Sequence, residues 1–149
     1  MVQVAAEEHD VAGLELAGGV ADGTVTWMTG PATVADHITP LITAAAEKAG
    51  KPSPRISVGL PVCVTNDPDS ARERAAKLFQ IYGMLPSYRA MLDREGAAGP
   101  ADVAIVGDEG TVAKEVAAIN DTGATEFVGA VFGDEAERSR TTAVLKDLL

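Results

Sequence analysis

The chain alternates short runs of β-branched and apolar residues with longer stretches whose apolar positions recur at helical spacing. That alternation predicts βα units and a mostly parallel sheet, hence an α/β fold. Val2 to Ala6 reads as a short first strand and Leu14 to Val20 as a short helix. The Asp22-Gly23 turn leads into Thr24-Val25-Thr26-Trp27-Met28, whose β-branched and aromatic content marks a strand. Gly30-Pro31 breaks that strand, and a helix follows. Thr33, with Asp36 three residues on, makes a capping-box-like start, and Val34, Ile38, Leu41, Ile42, Ala45 and Ala49 share one face. Pro40 inside this run is expected to kink it, because proline removes a donor and crowds the preceding turn. Gly50 and Pro52-Ser53-Pro54 end it.

Ile56 to Val64 is a nearly continuous apolar run, suited to a parallel strand buried on both faces. Pro61 within it suggests a bulge, or a strand shorter than the run. Asp67-Pro68 reads as an N-cap followed by an N1 proline, and the next helix carries Ala71, Ala75, Leu78, Phe79 and Tyr82 on one stripe. A second helical piece spans Ser87 to Glu95, and Gly96 to Pro100 is a connector too short to divide domains. Val103 to Val106 is a strand, followed from Gly107-Asp108 by a helix with Val112, Val116 and Ile119 inward. Phe127 to Val131 is a further strand, and a closing helix from Asp134 to Leu149 turns Val144, Leu145 and Leu148 inward. A chain of 149 residues with these units reads as a single domain over 1–149.

Composition narrows the classes. Hydrophobic residues make up 46% and charged residues 23%, ordinary globular usage that argues against disorder. Asp and Glu number 22 against 12 Lys and Arg, a formal net charge of −10, and the first Lys or Arg is Lys48. Such a surface repels nucleic acid, and aromatics at 4% offer no base-stacking platform. No apolar run approaches the roughly 18 residues of a membrane span, and no charged leader precedes an apolar segment. One cysteine and two histidines make neither a disulfide nor a zinc cluster, so a reducing, cytoplasmic setting is expected.

No P-loop, dinucleotide fingerprint, nucleophile elbow or C-x-x-C motif occurs. His37 lies beside inward-facing Ile38 and reads as structural, and His9 in its acidic stretch reads as solvated. Cys63, inside an apolar strand, reads as a small hydrophobe. Glu7-Glu8 and Asp134-Glu135-Ala136-Glu137 read as solvated acids, the second at a helix N-terminus favoured by the dipole. Nothing in the spacing suggests a metal site. The more informative positions are strand C-terminal ends, where parallel α/β folds place ligands: Trp27-Met28-Thr29, Thr65-Asn66 and Phe132-Gly133. Trp27 and Met28 could line an apolar pocket for a flat ring, or pack on the next helix. Tyr88 and Arg89 could cap that pocket, with Arg89 facing an anionic group or forming a surface ion pair.

Four segments in order carry a family resemblance. They are Ala21-Asp22-Gly23-Thr24-Val25-Thr26-Trp27-Met28-Thr29-Gly30-Pro31, then Gly59-Leu60-Pro61-Val62-Cys63-Val64-Thr65-Asn66-Asp67-Pro68, then Ile105-Val106-Gly107-Asp108-Glu109, then Thr122-Gly123-Ala124-Thr125-Glu126-Phe127-Val128. Together they resemble the luciferase-like monooxygenase family, in particular its coenzyme F420-dependent oxidoreductases. The resemblance implies a TIM (β/α)8 barrel that binds coenzyme F420, or alternatively FMN, and transfers hydride to or from a small organic substrate. Such barrels run to about 250 residues, and the four segments resemble only the second half, approximately strands five to eight, so the resemblance implies the C-terminal half, with parallel strands and amphipathic helices. Where relatives seat the cofactor phosphate on a Gly-Pro-containing loop, this chain reads Glu7-Glu8-His9-Asp10-Val11-Ala12-Gly13, and carboxylates repel a phosphate. The positions that carry over are pocket walls: Trp27, Met28, Thr29, Tyr88 and Arg89. No catalytic acid or base is identified. Half a barrel also leaves open strand edges, so a homo-oligomer or pairing with a missing N-terminal half is expected. Alternatives are a non-catalytic half-barrel needing a partner chain, or a small-ligand-binding module.

Overall fold

In the computed structural model, residues 10–148 and the backbone of 3–5 are described. Val2, Ala6, the acids Glu7-Glu8 and His9 lie outside the described residues. The first strand, β1, is Gln3–Ala5. Asp10 caps helix α1 (Val11–Val20), its carboxylate accepting from the Gly13 N–H. Strand β2 follows at Gly23–Trp27 and the long strand β3 at Arg55–Val64. Helix α4 (Pro68–Leu78) begins with the expected Asp67 cap and N1 proline, and α5 spans Pro86–Glu95. Beyond a short strand β4 (Ile105–Gly107) come α6 (Glu109–Ile119), β5 (Glu126–Val131) and α7 (Glu135–Asp147).

The helix after β2 departs from its expected form in two ways. It starts at Pro31, as α2 (Pro31–Thr33), passes through a π turn at Val34–Ile38 and continues as α3 (Thr39–Lys48). Thr33 is therefore not the cap. The Ala32 and Thr33 N–H groups are met instead by the two carboxylate oxygens of Glu95, at 3.2 and 2.6 Å. Nor does Pro40 interrupt the helix. The π turn runs into Pro40, with the Thr39 N–H reaching back to the Val34 carbonyl. Widening the turn there moves aside the carbonyl that the proline ring would strike.

All strand pairs are parallel. β2 runs beside β3 from Gly23↔Arg55 to Trp27↔Gly59, and β4 joins only the last three residues, Val62 to Val64. β5 pairs with β3 over Ser57 to Val62, so the order across the sheet is β1-β2-β3-β5, with β4 beside the tip of β3. Pro61 makes no bulge. The Arg55 N–H bonds Asp22, the Gly59 carbonyl accepts from Met28, and the Thr65 N–H bonds Gly107. Odd-numbered β3 residues thus face the β2 and β4 edge, and Pro61 falls between the end of β2 and the start of β4. No donor is needed there.

Every residue of β3 after Arg55 is buried. Ile56, Val58, Leu60, Val62 and Val64 pack with Leu14, Val34, Ile38 and Ile42 under the helices. Val112, Val116 and Ile119 are inward as expected. The closing helix differs. Among its described residues only Thr141 is buried, Val144 and Leu145 are half-buried, and Leu148 is exposed.

Candidate functional site

β2 ends in a conformation that a side chain rarely adopts. Met28 has φ of 57°, in the left-handed region, and its side chain is fully buried. The twist separates Trp27, half-buried over Gly59 on the face of the sheet opposite Val58 and Leu60, from Thr29 and Gly30, which are buried. A Cβ at Gly59 would lie 3.1 Å from the Trp27 ring, so glycine is what lets the indole lie flat against β3.

Around Trp27 the rings form a continuous edge-to-face run. Tyr88 meets Tyr82 at 5.0 Å, Tyr82 meets Trp27 at 5.8 Å, Trp27 meets Phe79 at 6.0 Å, and Phe79 meets Phe132 at 5.8 Å. These separations and T-shaped angles lie in the favourable range for aromatic pairs. The run links the C-terminal end of β2 to that of β5 and takes five of the six aromatic side chains in the sequence. The buried Trp27 Nε1 has no hydrogen-bond partner among the described residues, nor do the buried hydroxyls of Thr26, Thr29 and Thr33. A buried donor with no partner costs about 1–3 kcal/mol, so such a cluster calls for an explanation.

Of the residues singled out from sequence, the fold joins Trp27 to Tyr88 through Tyr82 and sets Met28 and Thr29 behind Trp27. Arg89 is engaged locally. Its guanidinium pairs with Asp93 at 2.7 Å and donates to the Ala97 and Ala98 carbonyls, fastening the end of α5 to the loop that follows. His37 is buried within the π turn. Cys63 is fully buried, and burial, with Glu137 nearby, pushes its thiol up.

A polar network missed in the sequence stands at the C-terminal end of β3. Glu137 was expected to be a solvated acid, but its side chain is only 12% exposed. It accepts two bonds from Arg74 at 2.7 Å, one from the Thr65 hydroxyl at 2.7 Å and one from the Asp134 N–H at 2.9 Å. Burial draws the Glu137 carboxyl upward, but the bonds from Thr65, Asp134 and Arg74 outweigh it and hold the group below its ordinary range. Arg74 and Glu137 are 63 residues apart, so spacing gives no hint of the pair.

Among the described residues no group of three or more His, Cys, Asp or Glu side chains converges on a metal-sized space, and no helix is long and apolar enough to cross a membrane. A parallel sheet with α1, α3, α6 and α7 on one face, α4 against Cys63 and Val106 on the other, and an aromatic site at its strand C-terminal ends has the α/β architecture of the barrel class. The sequence matches the model of the luciferase-like monooxygenase family over residues 2–126, and the chain belongs to that family. No curated protein matches it. Solved structures show the same fold. A coenzyme F420-dependent tetrahydromethanopterin reductase from Methanopyrus kandleri superposes with TM-score 0.71 at 19% identity, over 95% of this chain and 48% of its own. A coenzyme F420-dependent secondary alcohol dehydrogenase, solved with a coenzyme F420-acetone adduct, gives 0.67 at 17% identity over 93% and 46%. The oxygenating constituent of 3,6-diketocamphane monooxygenase from Pseudomonas putida, solved with FMN, gives 0.61 at 17% over 89% and 43%. The chain thus spans less than half the length of these structures, as the C-terminal half of a TIM barrel.

Proposed function

We propose that this chain is half of an oxidoreductase in which a deazaflavin or flavin ring, coenzyme F420 or FMN, rests against the aromatic run and exchanges hydride with a small organic substrate. The observation that carries the reading is the partnerless Trp27 Nε1 within that run: a buried donor beside a flat apolar surface suits a heteroaromatic ring with carbonyl acceptors. The cofactor supplies the redox chemistry when bound, and the protein's part is to hold and orient it. Trp27 and Tyr88 form the ring wall, Met28 and Thr29 back it, and Arg89 stands at the rim, holding the loop after α5. The chain acts as one half-barrel domain in a reducing, cytoplasmic setting.

The fit extends to the ring and not to an anionic tail. The N-terminus of α1 is filled by the Asp10 carboxylate and that of α2 by Glu95, while Arg74 and Arg89 are bound to Glu137 and Asp93. These arrangements favour a half-site completed by strands from another polypeptide half, and no catalytic acid or base is assigned within this chain.

Titration with FMN and with coenzyme F420 tests the reading, because Trp27 is the only tryptophan and reports on the wall directly. Saturable quenching at micromolar cofactor is expected, with binding weakened at least tenfold in Trp27→Ala as followed by the cofactor's own fluorescence. A folded sample that binds neither cofactor at high micromolar concentration sinks it. Turnover with reduced cofactor separates an oxidoreductase from a module that only binds ligands.

A further inference from the structure

The N-terminus of α2 is capped from far along the chain. Gly30 occupies its N-cap and brings no side chain, and Pro31 has no N–H, so the Ala32 and Thr33 N–H groups are the helix's first donors. Glu95 meets both, one carboxylate oxygen to each. A Cβ at Gly30 would lie 2.2 Å from the Glu95 carboxyl carbon, so the missing side chain is what admits the carboxylate. Glu95 is itself the last residue of α5, which ends at Gly96 with φ of 77°. A carboxylate there opposes the dipole of α5 and favours that of the helix beginning at Pro31. Its placement thus serves the helix it caps and not the one that carries it. The same helix carries the outer ring of the aromatic run. Tyr88, Leu92 and Glu95 recur at positions i, i+4 and i+7 and share one face of α5. Leu92 is fully buried in the core, and Tyr88 meets Tyr82, which meets Trp27. Glu95 fastens the far end of that face to the turn directly after Trp27 and Met28.

We propose that Glu95 is a positioning residue of the candidate site: it ties α5 to the start of α2, and so fixes the angle at which Tyr88 and Tyr82 stand against Trp27. Glu95 touches none of the rings and acts through α5. Met91 and Leu92 bury the middle of that helix, so α5 stays docked without Glu95 while its tilt is released. A wall held in place beforehand binds a flat ring more tightly than one that must be ordered on binding. The inference rests on the reading of the aromatic run as the wall for a flavin or deazaflavin ring.

Two variants tell positioning from plain helix capping. Glu95→Ala removes both the cap of α2 and the tie to α5. Adding Gly30→Ser returns a cap and leaves the tie broken. The φ of −72° and ψ of 163° at Gly30 suit a serine N-cap, and its side chain enters the space that Glu95 vacates. The urea midpoint should fall in Glu95→Ala and recover in the double variant. Acrylamide quenching of Trp27, the only tryptophan, reports on the wall with no ligand present, and titration with FMN and with coenzyme F420 reports on ring binding. In both variants quenching should rise about twofold and cofactor binding weaken about tenfold. A double variant whose stability, quenching and binding all return to wild-type values overturns the proposal, since Glu95 is then a cap and nothing more. Unchanged Trp27 quenching in Glu95→Ala overturns it as well. A wild-type chain that binds neither cofactor sinks the proposed function instead, and Trp27 quenching alone then decides the role of Glu95.

Discussion

Met28 concentrates the tension between packing and backbone at the candidate site. Its side chain is fully buried while its φ of 57° favours glycine. Met28→Ala should lose about 2–5 kcal/mol through the cavity it leaves. Met28→Gly should lose about 1 kcal/mol less than the alanine variant, because glycine adopts the left-handed conformation without strain. Urea denaturation of the three proteins checks the order. Glu137 makes a pH prediction. Its folded-state carboxyl is held below its ordinary value of 4.5, so it stabilises the fold above that value, and the contribution is lost as pH falls through the folded pKa. Glu137→Gln should lose about 1–3 kcal/mol at pH 7, toward the lower end because the Arg74 side chain stays 42% exposed, and should show a shallower acid limb below pH 4.5. Denaturation midpoints from pH 3 to 7 would show this. Neither residue announces its role in sequence: a left-handed methionine looks like any strand residue, and Glu137 looks like the dipole-favoured first turn it also occupies.

At the scale of elements, partners outside the ladder decide how strands and helices end. Past the reach of β5, the Val64 N–H donates to the buried Thr141 hydroxyl at 2.8 Å, and that hydroxyl donates to the Glu137 carbonyl at 2.7 Å. A threonine on the closing helix thus stands in for the strand residue that β3 lacks. Thr141→Val keeps the shape and removes the acceptor, so it should destabilise the fold by about 1–3 kcal/mol and speed exchange of the Val64 amide. The β3 run, the Asp67 cap and the inward stripe of α6 are all legible in sequence, because each rests on neighbours within a few residues. The two prolines mislead for the opposite reason. Whether Pro61 breaks a ladder depends on which partner its edge faces, and whether Pro40 bends a helix depends on the turn before it.

For the whole molecule, the alternation of buried strands and amphipathic helices determined the α/β class, and the order of four segments determined the family and the half of the barrel represented. Those are properties of local periodicity and of motif order, which survive in one dimension. Only the tertiary structure decided that β5 lies beside β3 with β4 at its tip, because strand order is set by long-range pairing. Packing alone drew five scattered rings into one run at the strand ends, from positions 27 to 132. It also turned the acids Asp10, Glu95 and Glu137 to helix ends and Arg74. A side chain's chemistry is written in the sequence, but which group it meets depends on how distant segments share one surface, and only the folded chain fixes that.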